Sequence, residues 1–229
     1  MMKPLSECRL YAFVDTAYLR ERTPEAVARQ LCDGGADLIQ LRAKDFPLEE
    51  IRRMARAILP ITRAANVGLV INDYLSIAQE VGAELCHLGQ ENFFGAGYTR
   101  ISELHTPLHA SGSAHEPLER RSKLVERIGL STHAPEQAQR ALAAGADYIA
   151  IGPVFPTGTK PTAKAVTLEY VRWAAANVTT PWFAIGGINL DNLDAVLDAG
   201  AQRICVVSAI LNTDDITATC LKFKARLQP

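Results

Sequence analysis

The chain has 229 residues, 48% hydrophobic and 21% charged, which is enough apolar material for a substantial core and excludes a wholly disordered or fibrous chain. Its 24 basic residues stand against 25 acidic ones, a formal net charge of −1. That balance excludes a broadly basic nucleic-acid surface but leaves room for a small cationic cluster around one anionic ligand.

Short apolar, β-branched runs alternate along the chain with segments of helical period. Strands are predicted at 9–15, 36–42, 68–73, 83–89, 127–132, 146–154, 181–188 and 203–210. Most are continuously hydrophobic, as parallel strands covered on both faces should be. Helices are predicted at 24–32, 48–64, 75–81, 135–144, 168–176 and 190–199, with starts at Thr23-Pro24, His133-Ala134-Pro135 and Thr167-Leu168. No run of 18 apolar residues offers a membrane span, and Met1–Arg9 lacks the apolar stretch of a secretory signal, so no membrane partner is expected. Cys8, Cys32, Cys86, Cys205 and Cys220 show no C-x-x-C spacing and sit mostly in apolar company. They read as small buried hydrophobes rather than zinc ligands, and the expected compartment is a reducing cytoplasm.

A weak repeat marks the joints. Gly35-Ala36-Asp37, Gly82-Ala83-Glu84, Gly145-Ala146-Asp147 and Gly200-Ala201-Gln202 each follow a helical segment and precede a strand. Glycine there suits the left-handed residue that ends a helix. Eight parallel strands with crossover helices close most economically as a (β/α)8 TIM barrel, a single α/β domain over 1–229. A doubly wound open sheet wants a Gly-rich loop after its first strand, and Asp15-Thr16-Ala17-Tyr18 is not one. The segment 93–123 breaks the rhythm and reads as an extended connection or lid after the fourth strand. His105 and His109, four apart within it, read as solvated histidines because no third metal ligand is spaced nearby.

Side chains at the C-terminal ends of barrel strands line the active site of this fold. Alternation places Gln40, Arg42 and Lys44 on one face of the second strand. The third strand ends in Asn72-Asp73, the fourth carries His87 and leads to Glu91-Asn92, and the fifth ends Ser131-Thr132-His133. The sixth runs into Thr157-Gly158-Thr159-Lys160, where two hydroxyls and an ammonium flank a glycine in the manner of a phosphate-holding loop. Gly186-Gly187 and Val207-Ser208 follow strands seven and eight, a recurrent place for phosphate in this fold.

The ordered blocks Gln40-Leu41-Arg42-Ala43-Lys44-Asp45, Ile71-Asn72-Asp73, His87-Leu88-Gly89-Gln90-Glu91, Gly129-Leu130-Ser131-Thr132-His133, Gly152-Pro153-Val154-Phe155-Pro156-Thr157-Gly158-Thr159-Lys160 and Ala184-Ile185-Gly186-Gly187-Ile188 resemble the thiamine phosphate synthase family. The resemblance implies a transferase that joins a hydroxymethylpyrimidine pyrophosphate to a thiazole phosphate and releases pyrophosphate by a dissociative, Mg²⁺-assisted route. It implies that Arg42, Lys44, Asn72 and Lys160 hold the departing pyrophosphate, with Ser131 facing it and the reacting centre. Gln40 and His87 would border the pyrimidine, and Thr157, Thr159, Gly187, Val207 and Ser208 would seat the thiazole phosphate.

For Mg²⁺ the resemblance implies two carboxylates. The first falls on Asp73; the second falls on Asn92, where the family has aspartate, and an uncharged amide oxygen there lowers intrinsic affinity for the ion. Adjacent Glu91 offers a further carboxylate. The nearest rival is a thiazole tautomerase on the same barrel, which moves a proton and needs neither pyrophosphate site nor metal. A non-catalytic thiazole phosphate-binding protein is a third reading. The expected partners are small phosphate and pyrophosphate substrates, and a homo-oligomer is compatible with an apolar barrel surface.

Overall fold

The computed structural model describes residues 2–105, 125–158 and 165–227. Eight parallel strands pair in chain order and close into a barrel: β1 (Leu10–Asp15), β2 (Leu38–Arg42), β3 (Gly68–Asn72), β4 (Leu85–Leu88), β5 (Arg127–Thr132), β6 (Tyr148–Ile151), β7 (Trp182–Ile185) and β8 (Ile204–Cys205). Closure is made by Leu10 and Tyr11 of β1 against Ile204 and Cys205 of β8. Strands β1, β2, β3, β4 and β6 are buried along nearly their whole length, which explains their continuous hydrophobicity. Tyr11, Tyr148 and Phe183 fill the interior in edge-on contact, with ring centroids 5.3–6.2 Å apart.

Helices α1 (Pro24–Asp33), α2 (Leu48–Ala64), α3 (Leu75–Val81), α4 (Pro135–Ala143), α5 (Thr167–Asn177) and α6 (Leu193–Asp198) cover the barrel. Thr23 caps α1 by accepting from the Ala26 amide at 3.2 Å, with Pro24 in the first turn. The repeated glycines Gly35, Gly82, Gly145 and Gly200 all take positive φ, between +76° and +99°. The acidic residue two places on has a structural task of its own. Asp37 Oδ2 accepts from the amides of Arg9 and Leu10, Glu84 Oε2 from Leu69 at 3.4 Å, and Asp147 Oδ2 from Ile128 at 2.7 Å. Each carboxylate thus takes a backbone donor at the entry of the neighbouring strand, at the bottom of the barrel. Asp37 also pairs with Lys3 at 2.9 Å and with Lys224, tying both ends of the chain to that face.

Three features depart from the sequence expectation. The apolar run 203–210 is only briefly a strand: after β8 the chain turns into a short helix α7 (Ser208–Leu211), because a short apolar run does not distinguish strand from buried helix. A final helix α8 (Ile216–Arg226), capped by Asp215, buries Ile216, Thr219, Cys220 and Phe223 and packs beside α1. After β4 the backbone makes a π-turn (Glu91–Gly95) and a 3-10 turn (Ile101–His105). Phe93 is fully buried and stacks on Tyr98, and the Ile101 amide donates to Ala144, so the first part of the 93–123 segment is packed onto the barrel flank. The rest of that expectation, His109 included, lies outside the described residues. Among the described residues no helix is long and apolar enough to cross a membrane.

Candidate active site

A cavity open to solvent occupies the C-terminal mouth of the barrel. Gln40, Arg42, Asn72, His87, Ser131, Thr157, Gly187, Val207 and Ser208 all line it, so seven strand ends bring their polar groups to one place. The floor is aromatic, made by Tyr11 and Phe13, and Ala150, Ile185 and Ile188 add apolar wall.

Among the described residues Arg42 is the cation of this wall. Its guanidinium meets the Asp15 carboxylate at 2.8 Å, with the Arg42 side chain 13% exposed and that of Asp15 1%. Asp15 also accepts from the Ala17 amide at 3.1 Å. This anchoring carboxylate went unnoticed at the sequence level, where Asp15 is only the residue that ends the first strand. Lys44 is not in the wall. Strand β2 ends at Arg42 and a turn follows, so the two-residue alternation stops before Lys44, which is exposed.

On the neighbouring strand β3, Asn72 donates to Asp73 Oδ2 at 2.6 Å, while Asp73 Oδ1 accepts from the Gly89 amide at 3.3 Å. Asp73 and Asn92 stand at the rim rather than in the cavity wall, both against Gly89; the Asn92 amide nitrogen lies 3.8 Å from where a Gly89 Cβ would be. Among the described residues no group of three or more His, Cys, Asp or Glu side chains is placed to hold a metal ion. The rim therefore offers one carboxylate and one amide oxygen, hard donors suited to Mg²⁺ when phosphate oxygens complete the shell, and too few for an all-protein cage.

The side of the cavity formed after β6, β7 and β8 is built by close packing. Val154 and Phe155 donate to Ile185 and Gly186, so the chain leaving β6 stays paired with the end of β7. Gly187 has φ +66°, and a Cβ there would fall 2.7 Å from Phe155 Cβ and from the Pro156 carbonyl; only glycine lets the two loops close on the cavity. Val207 and Ser208 stand at the start of α7. Arg22 bonds the carbonyls of Tyr18, Leu19, Leu211 and Thr213, fastening the far end of α7 to the β1–α1 loop. Thr159 and Lys160 lie outside the described residues.

Beneath the cavity runs a row of hydrogen bonds that sequence reasoning missed in part. Gln40 Nε2 donates to Tyr11 Oη at 2.5 Å, Tyr11 and Tyr148 hydroxyls are 3.3 Å apart, Tyr148 Oη is 3.2 Å from His87 Nδ1, and His87 Nε2 is 2.9 Å from Ser131 Oγ. Burial pushes both phenols far above the usual tyrosine range, so both remain protonated. Gln90 steadies the end of β5 by donating to the Ser131 carbonyl at 2.6 Å.

The family model described as thiamine monophosphate synthase matches residues 10–210. The chain belongs to that family. The thiamine-phosphate synthase of Thermus thermophilus is 40% identical over 208 residues, covering 90% of this chain and 88% of that protein. That of Halalkalibacterium halodurans is 35% identical over 228 residues, covering 98% and 97%. Among solved structures, the thiamine phosphate pyrophosphorylase of Pyrococcus furiosus superposes with a TM-score of 0.80 at 27% identity, covering 97% of this chain and 96% of that one. A 3-hexulose-6-phosphate synthase at 17% identity and TM-score 0.60 shares the fold.

Proposed function

We propose that the chain joins 4-amino-2-methyl-5-hydroxymethylpyrimidine pyrophosphate to a thiazole phosphate, giving thiamine phosphate and pyrophosphate. The observation that carries this reading is the meeting of a carboxylate-anchored Arg42, Asn72 and Ser131 with the Gly187–Ser208 seat in one cavity. Two anionic groups need two separate sets of donors, and the cavity has one on each side. A tautomerase has no use for the first set.

The chemistry asks for charge stabilisation and positioning more than for a strong acid or base. As the bond from the pyrimidine methylene to oxygen breaks, negative charge grows on the pyrophosphate and positive charge on the carbon. Arg42, Asn72, Ser131 and, from the loop after β6, Lys160 meet the growing negative charge; Lys44, exposed in the turn after β2 and outside the cavity wall, takes part only from the edge. Gln40 and His87 border the pyrimidine. Thr157, Thr159, Gly187, Val207 and Ser208 hold the thiazole phosphate so that the thiazole nitrogen faces the methylene carbon and captures it. Asp73 and Asn92, with pyrophosphate oxygens, would hold Mg²⁺, which when bound neutralises charge on the leaving group.

The deciding experiment is an end-point assay with both substrates and Mg²⁺. Thiamine phosphate forming only when both are present supports the reading. Calorimetric binding of thiazole phosphate with no product would replace it with a phosphate-binding role, and isomerisation of the thiazole alone with a tautomerase.

A further inference from the structure

The hydrogen-bonded row beneath the cavity depends on a missing side chain. His87 on β4 is the register partner of Gly129 on β5, and Gly129 of Tyr148 on β6. A Cβ on Gly129 would stand 2.1–2.4 Å from the Tyr148 ring. The ring therefore crosses β5 where a side chain would otherwise stand, and its hydroxyl reaches His87 two strands away. Five side chains from β2, β1, β6, β4 and β5 make one connected series, from Gln40 to Ser131.

Counting hydrogens gives that series a direction. An amide nitrogen only donates, so Tyr11 Oη accepts from Gln40 and passes its own hydrogen to Tyr148. With the imidazole neutral, Tyr148 in turn donates to His87 Nδ1, the ring carries its hydrogen on Nε2, and Ser131 Oγ accepts from it. The Ser131 hydroxyl hydrogen is then left to point into the cavity. Running the series the other way, with Gln40 unmoved, strands the hydrogen of the fully buried Tyr11 without an acceptor, which burial penalises. At the opposite end Gln40 presents Oε1, an acceptor, at the cavity wall.

We propose that Tyr11 and Tyr148 are positioning residues that hold His87 as its Nε2–H tautomer, so that Ser131 offers a donor to the pyrophosphate while Gln40 offers an acceptor to the pyrimidine's exocyclic amine. The inference rests on the reaction assigned above. It adds that discrimination between an amino- and an oxo-pyrimidine belongs to the whole row. An oxo group would face Gln40 Oε1 acceptor to acceptor, and turning the amide over would require every donor down to Ser131 to reverse. A site built to pair one polar group rejects its opposite strongly.

Two measurements test this. Nitrogen-15 NMR of the full chain, with His87 assigned by comparison with His87→Gln, should show Nε2 protonated and Nδ1 bare; Nδ1–H in the parent overturns the proposal. In Tyr148→Phe the Nδ1 partner is lost, and the tautomer should shift while kcat falls about tenfold and both KM values stay within about twofold. Gly129→Ala, which displaces the ring but keeps its hydroxyl, should move the tautomer in the same sense. Tyr11→Phe, which frees the Gln40 amide to turn, should reduce preference for the amino over the oxo pyrimidine pyrophosphate about tenfold. Unchanged tautomer and kcat in Tyr148→Phe, or unchanged preference in Tyr11→Phe, overturns it. The spectrum needs no turnover, so a parent chain inactive on both substrates would sink the assigned reaction without deciding the tautomer.

Discussion

Asp15 and Arg42 are register partners at the C-terminal ends of β1 and β2, and their side chains meet at 2.8 Å at the edge of the barrel mouth. The carboxylate is the more deeply buried of the two, so Arg42 is held from behind and offers its remaining donors to the cavity. Asp15→Asn keeps the shape and removes the charge. It should lower kcat/KM for the pyrimidine pyrophosphate by about 10- to 100-fold and cost about 1.5–3 kcal/mol of stability, the usual worth of a charge-assisted hydrogen bond. Steady-state kinetics and thermal melts check both; parent-like values in both would show that Arg42 needs no anchor.

Asn92 bears on the metal. Replacing it by aspartate adds a second carboxylate beside Asp73, so Asn92→Asp should reach half-maximal turnover at a lower Mg²⁺ concentration, with little change at saturation. Superimposable Mg²⁺ curves for the two chains would remove Asn92 from the ion's shell.

Ser208 separates binding from rate. Ser208→Ala should raise KM for the thiazole phosphate about 10- to 100-fold, the loss of one hydrogen bond to a charged group, with kcat nearly unchanged. A fall in kcat at constant KM would place Ser208 at the reacting centre instead.

Asp37 predicts a pH dependence of stability at the other end of the barrel. Burial raises its pKa, but Lys224, the amides of Leu10 and Arg9, and Lys3 more than offset this and hold the carboxyl below the usual 3.8. A carboxyl depressed in the folded state contributes stability that is fully present above its unfolded pKa and is lost as pH falls through the folded value. Asp37→Asn should therefore be less stable than the parent by about 1.5–3 kcal/mol near neutral pH, the worth of charge-assisted hydrogen bonds whose lysine partners are partly exposed. The gap should begin to narrow below about pH 4 and close as pH falls through the lowered folded value. Denaturant melts from pH 7 to 3 measure it; a gap constant over that range would show that the Asp37 charge is not what stabilises.

The barrel was legible because its joints are local. Glycine ends the helix and an acidic residue follows two places on, a signature three residues long, although the amide which that carboxylate takes lies 15–28 residues earlier in the chain. The mouth was legible wherever a polar residue interrupts an apolar strand end, as at Gln40, Arg42, Asn72, His87 and Ser131. Asp15 escaped because its partner is 27 residues away and only the register of β1 on β2 unites them. Tyr11 and Tyr148 escaped for a related reason: each sits in an apolar run and reads as core, and their hydroxyls meet only once the sheet has closed on itself. Lys44 shows the reverse error, since extrapolating strand alternation past Arg42 placed an exposed turn residue in the wall. Helix α8 was readable, from Asp215 followed by Ile216, Thr219, Cys220 and Phe223 at helical spacing.

The carboxylates of Asp37, Glu84 and Asp147 all work at the base, opposite the chemistry. What keeps this molecule assembled is thus housed apart from what selects its substrates. A lineage carrying such a scaffold is free to redraw the rim loop by loop, exchanging one residue such as Asn92 for another, without reopening the question of whether the chain folds.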